Sequence, residues 1–217
     1  MKTFEIKNPA GFSFDPEKHI YRVGNIIRPG INECLESVGL KPSLSAIPAD
    51  VLEFARTRGK AIHAVCELYD RGHLGQYEID PRTEVYLEAW KSFRMDWSFD
   101  PEIIEQPMAH PVYQFAGTPD RAGTVEGKPS VVEIKTVSGD AKEPDEWVGF
   151  QLAGQAVLLE GCAGYEAGYR YAVCLGSDGK YVVEEYIDRT DKSIFLAAVS
   201  ITAKKINLYG RSSNGIH

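Results

Sequence analysis

Val131-Val132-Glu133-Ile134-Lys135-Thr136 is the stretch that decides the fold, and Gly117-Thr118-Pro119-Asp120 precedes it by ten residues. The later stretch has the pattern of a short apolar strand, whose side chains alternate between two faces. Glu133 and Lys135 therefore share one face, while Val132 and Ile134 point into a core. The intervening residues have the pattern of a strand and a turn, so a hairpin would place Asp120 beside Glu133.

Two carboxylates and an ammonium in one small site are typical of metal-assisted hydrolysis. Mg²⁺ prefers oxygen ligands and is often held by one or two carboxylates, waters and substrate phosphate. Asp120 and Glu133 would supply the carboxylates, and Lys135 would orient a water or stabilise developing negative charge. The alternative is that all three are ordinary cross-strand charges on the solvated face of an antiparallel sheet. The strand pattern alone does not decide between these interpretations.

Composition places the chain among ordinary soluble proteins. Of 217 residues, 43% are hydrophobic and 25% are charged, which predicts one compact domain over residues 1–217. No apolar run approaches the ~20 residues that cross a bilayer, and no signal peptide is expected, so we expect a cytoplasmic protein without membrane contact. The four cysteines are scattered, which predicts free thiols and neither a zinc site nor an iron–sulfur cluster. The net charge of −7 disfavours tight nonspecific binding of duplex DNA by a monomer.

The order of predicted elements indicates an α/β fold with a central mixed β-sheet flanked by helices. Residues 1–45 form an N-terminal extension made of a strand pair and a short helix. The longest helix is predicted to begin at Asp50, with Glu53 completing a capping box, and the tail 211–217 is expected to be mobile. We expect helices over 31–38, 50–72, 80–97, 146–159 and 191–208, and strands over 21–23, 25–27, 103–110, 112–116, 119–125, 131–136, 166–174 and 181–187.

His63 on the longest helix is a candidate metal ligand, because an imidazole nitrogen binds divalent cations. Glu67 lies four residues later on the same helix face and could share a metal or a water with His63. Gly59 inside this helix predicts the close approach of another backbone. The alternative is a surface histidine, or a core histidine with an ordinary hydrogen bond.

Gln151 and Gln155 lie one turn apart on a later helix that is otherwise largely apolar. Glutamines at this spacing can donate to phosphate oxygens or hold a carboxylate ligand in place. The alternative is that both face water. The basic residues Arg58 and Lys142 are candidates for gripping a nucleic-acid backbone, together with Arg56 and Lys60, although a solvated helix face is also typical of such residues.

Four motifs in order resemble the series of the PD-(D/E)XK nuclease superfamily: Arg58-Gly59-x-x-x-His63, Gly117-x-x-Asp120, Glu133-x-Lys135 and Gln151. The RecB-like exonuclease branch, which includes phage and prophage recombination exonucleases, is the most similar. Residues 20–31 also resemble the opening of its phage members, and the resemblance covers about residues 15 to 160. It implies a restriction-endonuclease-like core.

The resemblance also implies the roles of the site residues. Asp120, Glu133 and Lys135 would be catalytic, and one or two Mg²⁺ or Mn²⁺ ions would be held by His63, Asp120, Glu133 and the Ile134 carbonyl. Gln151 would contact DNA or position the site. Relatives carry a tyrosine four residues further on, where this chain has Gln155, so the DNA contacts are expected to differ. Glu67 and Thr136 are expected to support the metal ligands without touching the metal.

The sequence therefore predicts a Mg²⁺- or Mn²⁺-dependent deoxyribonuclease, an exonuclease of phage-type DNA recombination or repair. Its expected partners are DNA and a single-strand annealing protein. A ring-shaped trimer, as in similar exonucleases, would explain how an acidic protomer holds DNA. Two alternatives stay open: a nucleic-acid-binding protein that has the fold but does not cut, favoured by the net charge and Gln155, and a restriction-type endonuclease.

Overall fold

The computed structural model describes residues 4–209, so residues 1–3 and 210–217, including the tail predicted to be mobile, lie outside the described part. The strands of the described part are β1 (Phe12–Asp15), β2 (Ile20–Val23), β3 (Ile26–Arg28), β4 (Asp100–Ile104), β5 (Met108–Ala109), β6 (Ala116–Gly117), β7 (Arg121–Val125), β8 (Lys128–Thr136), β9 (Tyr169–Leu175) and β10 (Tyr181–Glu185). The α-helices are α1 (Ile31–Ser37), α2 (Ala49–Asp70), α3 (Pro81–Asp96), α4 (Trp147–Ala163) and α5 (Asp191–Tyr209), and Leu74–Gln76 forms a short 3₁₀ helix.

A five-stranded sheet with the order β10-β9-β8-β7-β4 forms the centre of the fold. The pair β8–β9 is parallel and the other three pairs are antiparallel, so the sheet is mixed. Helices α2 and α3 pack against one face of the sheet and α4 packs against the other, where α1 and α5 pack on α4. The predicted α/β fold with a central mixed sheet flanked by helices is confirmed.

Strand β8 lies in the middle of this sheet and is covered on both faces. Val131 belongs to the core on the α4 side, whereas Val132 and Ile134 belong to the core on the α2 side. Glu133 is only 4% exposed. The interpretation of the acidic strand as a solvated sheet face is therefore wrong, because helices cover both sides of it.

The strand predicted over residues 103–110 is broken into β4 and β5. The break lies at Glu105, which has a φ of +45°. A left-handed conformation is unfavourable for a residue other than glycine and persists only where surrounding contacts hold it. Here the Glu105 N–H donates to the Asp120 carbonyl at 3.0 Å. The next predicted strand, over 112–116, is reduced to the two residues of β6, which pair with β5.

Two of the three helix ends described below have the capping residues that the local sequence favours. At α3, Asp80 is the N-cap and accepts from the Arg82 N–H at 2.9 Å, in agreement with the helix start predicted at residue 80. The capping box predicted at Asp50 is wrong, since α2 begins one residue earlier with Pro48 as its N-cap. Helix α4 ends at Gly164, whose φ of +61° is typical of a glycine that follows the last helical residue. Gly161 lies within the helix, and a Cβ added there would lie 2.4 Å from His110 Nε2.

The N-terminal strands form a separate three-stranded antiparallel sheet with the order β1-β2-β3. Strand β1 was not predicted, and its Phe14 stacks on Tyr21 of β2 with ring centroids 4.8 Å apart. Tyr21 is buried, and its hydroxyl lies 2.9 Å from Thr118 Oγ1, two residues before Asp120. This small sheet therefore forms one wall beside the strand ends that carry the acidic residues. Among the helices of residues 4–209, none combines the length and the apolar character that a bilayer crossing requires.

Candidate metal and catalytic centre

The predicted hairpin of β7 and β8 brings Asp120 and Glu133 together. Arg121 pairs with Val132 in the antiparallel register, which places Asp120 next to Glu133. The Ile134 N–H donates to Asp120 Oδ2 at 2.8 Å and fixes the direction of that carboxylate. Asp120 and Glu133 are 7% and 4% exposed, and they lie where α2 and α4 cover the centre of the sheet from opposite faces.

His63, Glu105 and Asp120 form a cluster in which one ligand atom from each lies within 4.8 Å of the others. His63 Nδ1 lies 3.2 Å from Glu105 Oε1 and 3.6 Å from Asp120 Oδ1. Its Nε2 lies 3.2 Å from the Ile134 carbonyl oxygen. One imidazole and two carboxylates are a donor set that fits a divalent cation, whereas the Ile134 carbonyl contacts the other ring nitrogen of His63. His63 and Asp120 were predicted from the sequence, and Glu105 is an addition.

Glu133 points towards helix α4 and accepts hydrogen bonds from three side chains. Lys135 Nζ and Gln151 Nε2 donate to its Oε1 at 2.8 and 2.7 Å, and Gln155 Nε2 donates to its Oε2. Lys135 also donates to Gln151 Oε1 at 2.8 Å. Both glutamines are buried, so the alternative that they face water is wrong. They hold a carboxylate, one of the two roles considered for them, while their contact with DNA stays a prediction.

The pKa values of Asp120 and Glu133 are shifted in opposite directions. Burial and the neighbouring Glu133 raise the pKa of Asp120. Burial would also raise the pKa of Glu133, but the Lys135 ammonium and the donated hydrogen bonds outweigh burial and lower it. Burial would lower the pKa of His63, whereas Asp120 and Glu105 outweigh it and raise that pKa to about 9. Glu133 is therefore ionised at pH 7, whereas a metal that binds Asp120 and His63 must displace protons from them.

A buried ion network lies behind the cluster and was not predicted. Arg121 is fully buried, and its Nε donates to Asp70 Oδ2 at 2.6 Å. The Nη1 atom of Arg121 donates to Glu105 Oε1 at 3.0 Å, which fixes the carboxylate that faces His63. Asp70 also accepts hydrogen bonds from Trp90 Nε1 and Arg94 Nη1. The network thus connects the cluster to the core between α2, α3 and the sheet.

Glu67, Arg58 and Lys142 lie outside the three-ligand cluster. Glu67 accepts from Arg71 Nε at 2.8 Å, in an ion pair along α2 rather than a contact with His63. Arg58 is half-buried, with its guanidinium 5.9 Å from the centroid of the exposed Phe54 ring. Lys142 is exposed in the connection between β8 and α4. The proposed roles of these three residues stay predictions.

Gly59 and Thr136 face each other across the contact between α2 and β8. A Cβ added at Gly59 would lie 3.8 Å from Thr136 Oγ1, an ordinary van der Waals distance. The close backbone approach predicted at Gly59 is therefore wrong, since the nearest atom belongs to a side chain. Thr136 lies next to Lys135 at the end of β8, where a supporting role stays a prediction.

No protein-family model matches the chain, and no curated protein matches it significantly. Among solved structures, a protein provisionally named an exonuclease from Eubacterium rectale is 11% identical with a TM-score of 0.47, over 69% of this chain and 66% of that one. The protein SSO0001 is 16% identical with a TM-score of 0.37, over 80% and 83% of the two chains. An alkaline exonuclease, LHK-Exo from Laribacter hongkongensis, is 17% identical with a TM-score of 0.29, over 70% and 92%. At these TM-scores and identities the likeness assigns this chain neither a family nor an activity.

Proposed function

We propose that this protein is a metal-dependent deoxyribonuclease. The observation that carries the proposal is the convergence of His63, Glu105 and Asp120 on one point, within 4.8 Å of one another. Beside them lies a lysine that is held by a carboxylate and an amide. A bound Mg²⁺ or Mn²⁺ would polarise a phosphodiester and lower the pKa of an attacking water. Glu133 and the Ile134 carbonyl are proposed as further ligands.

Lys135 is the group proposed to orient the attacking water and to stabilise the negative charge that develops on the phosphate. Its ammonium is held by Glu133 Oε1 and Gln151 Oε1, both at 2.8 Å. It also lies 5.0 Å from the centroid of the Trp147 ring. A cation fixed by three partners loses little freedom when substrate binds, and such preorganisation makes electrostatic stabilisation effective.

DNA ends are the proposed substrate, and the motif series that resembles RecB-like exonucleases supports this choice. A phage-type role in recombination or repair, a single-strand annealing partner and a ring-shaped trimer belong to the same proposal. A ring would gather the positive side chains of three protomers around DNA, which an acidic monomer needs. A monomeric mass in solution would contradict the ring.

The proposed activity is tested with end-labelled linear DNA and covalently closed circular DNA of the same sequence, each with Mg²⁺, with Mn²⁺ or with EDTA. We expect degradation of the linear DNA that depends on either metal, and persistence of the closed circle. Cleavage of the closed circle would establish an endonuclease. Persistence of both DNAs with either metal would contradict a nuclease and favour the non-cleaving alternative.

Metal affinity is expected to rise with pH. The pKa of His63 is raised to about 9, so its imidazole carries a proton at pH 7 that a metal must displace. Below that pKa, each pH unit should raise Mn²⁺ affinity by at least about tenfold, because His63 loses a proton on binding and Asp120, whose pKa is raised to about 8, loses a second one at lower pH. Titration calorimetry at pH 6, 7 and 8, in buffers of different ionisation enthalpy, measures both the affinity and the protons released.

His73 provides a matched control, since it is an exposed histidine beyond the end of α2. His73→Gln should keep the pH dependence of Mn²⁺ affinity, whereas His63→Gln should weaken binding and reduce that dependence. The same Mn²⁺ affinity at pH 6 and pH 8 in the unaltered protein would show that His63 is not a ligand.

A further inference from the structure

A cavity adjoins the proposed catalytic centre on the side of the N-terminal sheet. It has a volume of about 120 Å³. Gln155 belongs to both places, because its amide nitrogen donates to Glu133 while its side chain lines the cavity. The polar side chains that line the cavity are His19, Tyr21, Asn32, Glu33, Thr118, Gln151 and Gln155.

Two hydrogen-bond acceptors on these walls have no partner within the described residues. Gln155 is 2% exposed, and its Oε1 is buried and unpaired because the amide nitrogen is committed to Glu133. Asn32 Oδ1 is likewise buried and unpaired. A buried acceptor without a donor is costly and uncommon in folded proteins. Two of them on the walls of one cavity indicate a ligand that donates hydrogen bonds.

The charge of the cavity argues against an anion. No lysine or arginine of the described residues lines it, and the Glu33 carboxylate does. That carboxylate accepts from the Gly30 N–H at 2.9 Å, so this backbone donor is already paired. Burial lowers the pKa of His19, which leaves its imidazole neutral at pH 7. A phosphate would therefore meet negative charge and unpaired acceptors without a balancing cation.

Other polar side chains that line the cavity already have hydrogen-bond partners. The Tyr21 hydroxyl lies 3.0 Å from His19 Nε2 and 2.9 Å from Thr118 Oγ1. The volume has room for roughly four water-sized groups, at about 30 Å³ for each. A hydroxyl with its adjoining sugar carbons has that size, whereas a whole nucleotide is far larger.

We propose that this cavity receives the terminal hydroxyl of a DNA strand, with Asn32 Oδ1 as the acceptor of its one proton, and that it rejects a terminal phosphate. The inference rests on the proposed nuclease function and adds the chemical form of the end that the site accepts. A 3′ and a 5′ hydroxyl share this chemistry, so the experiment carries one arm for each.

The test uses blunt duplexes that differ only in one terminus: 3′-hydroxyl or 3′-phosphate in one arm, and 5′-hydroxyl or 5′-phosphate in the other. In one of the two arms we expect the hydroxyl form to be degraded at least about tenfold faster, the ratio expected for one hydrogen-bonded group. Fluorescence anisotropy of the same duplexes in EDTA should show the same order of affinity without any reaction. The absence of a hydroxyl preference from both arms would overturn the proposal.

Asn32 supplies the variants, because it is outside the proposed catalytic groups. Asn32→Leu removes the acceptor at similar volume and should bring the hydroxyl-to-phosphate ratio close to one. Asn32→Asp keeps an acceptor and should retain or increase the ratio. Asn25→Leu changes an exposed asparagine between β2 and β3 and should leave the ratio unchanged.

The two proposals fail in different ways. If no duplex is cleaved but hydroxyl ends still bind more tightly in EDTA, the nuclease proposal fails and the cavity assignment stands. If linear DNA is cleaved with Mg²⁺ but the ratio is the same in Asn32→Leu and the unaltered protein, the cavity assignment fails and the nuclease proposal stands.

Discussion

Lys135→Ala is expected to lower metal-dependent DNA cleavage by at least about 100-fold, the loss typical when one preorganised charge-stabilising group is removed. The reason is that the Lys135 ammonium is the cation nearest to the Glu133 carboxylate, held at 2.8 Å. Initial rates on end-labelled linear DNA at saturating Mg²⁺ measure the effect. Lys180→Ala is the matched control, because that lysine is 80% exposed between β9 and β10.

Asp120→Asn should abolish cleavage for a different reason, and the two variants can be distinguished by metal binding. The substitution keeps the volume of the side chain but removes the charge that attracts the cation, so calorimetric Mn²⁺ binding should weaken together with cleavage. Lys135→Ala should keep Mn²⁺ binding, since an ammonium is not a metal ligand. Far-UV circular dichroism confirms that each variant is folded. Cleavage by Lys135→Ala at the rate of the unaltered protein would refute the proposed role of the lysine.

The sheet and its acidic hairpin could be predicted because their signals are local. Alternating apolar residues in β8 and the turn at Gly127 are properties of adjacent residues, and they fix the pairing of β7 with β8. Once that pairing is set, Asp120 must lie beside Glu133. The position of His63 was predicted from the motif resemblance, and the packing of α2 against the end of β8 is what brings it within 3.2 Å of the Ile134 carbonyl.

Glu105 and Arg121 could not be placed in the same way. Glu105 follows two isoleucines in what reads as a continuous strand, and only its φ of +45° turns its carboxylate towards His63. Arg121 lies within a strand and finds its partner Asp70 at the end of a helix 51 residues earlier. Such a contact depends on tertiary packing, which strand periodicity does not encode. The signal that was available is the presence of charged residues within stretches that are otherwise largely apolar.

Gln151 and Gln155 show a further limit of periodicity. Helix α4 is buried on nearly every side, so it lacks the polar face that would reveal which residues point towards the sheet. Glu67 illustrates the opposite case, because its spacing from His63 and from Arg71 is the same four residues. The structure pairs it with Arg71, and helical spacing alone could not choose between the two.

Arg121→Leu is expected to have the largest effect on stability, lowering the free energy of unfolding by about 3–5 kcal/mol. Both Arg121 and Asp70 have fully buried side chains, so removing the guanidinium leaves the Asp70 carboxylate without the partner that lies 2.6 Å away. Arg94 compensates only in part, through its bond to the other carboxylate oxygen at 2.9 Å. Urea denaturation followed by circular dichroism measures the loss.

Arg82→Leu is the matched control for this prediction, since it breaks an arginine–aspartate pair whose arginine is 86% exposed. An exposed pair contributes little, so this variant should unfold near the same urea concentration as the unaltered protein. The double variant Asp70→Asn with Arg121→Leu completes a cycle. Because it removes the buried charge together with its partner, it should be destabilised by less than the sum of the single variants. Additive losses would show that the pair contributes only packing. The role of Arg121 would then be to fill the space behind Glu105 rather than to supply a charge.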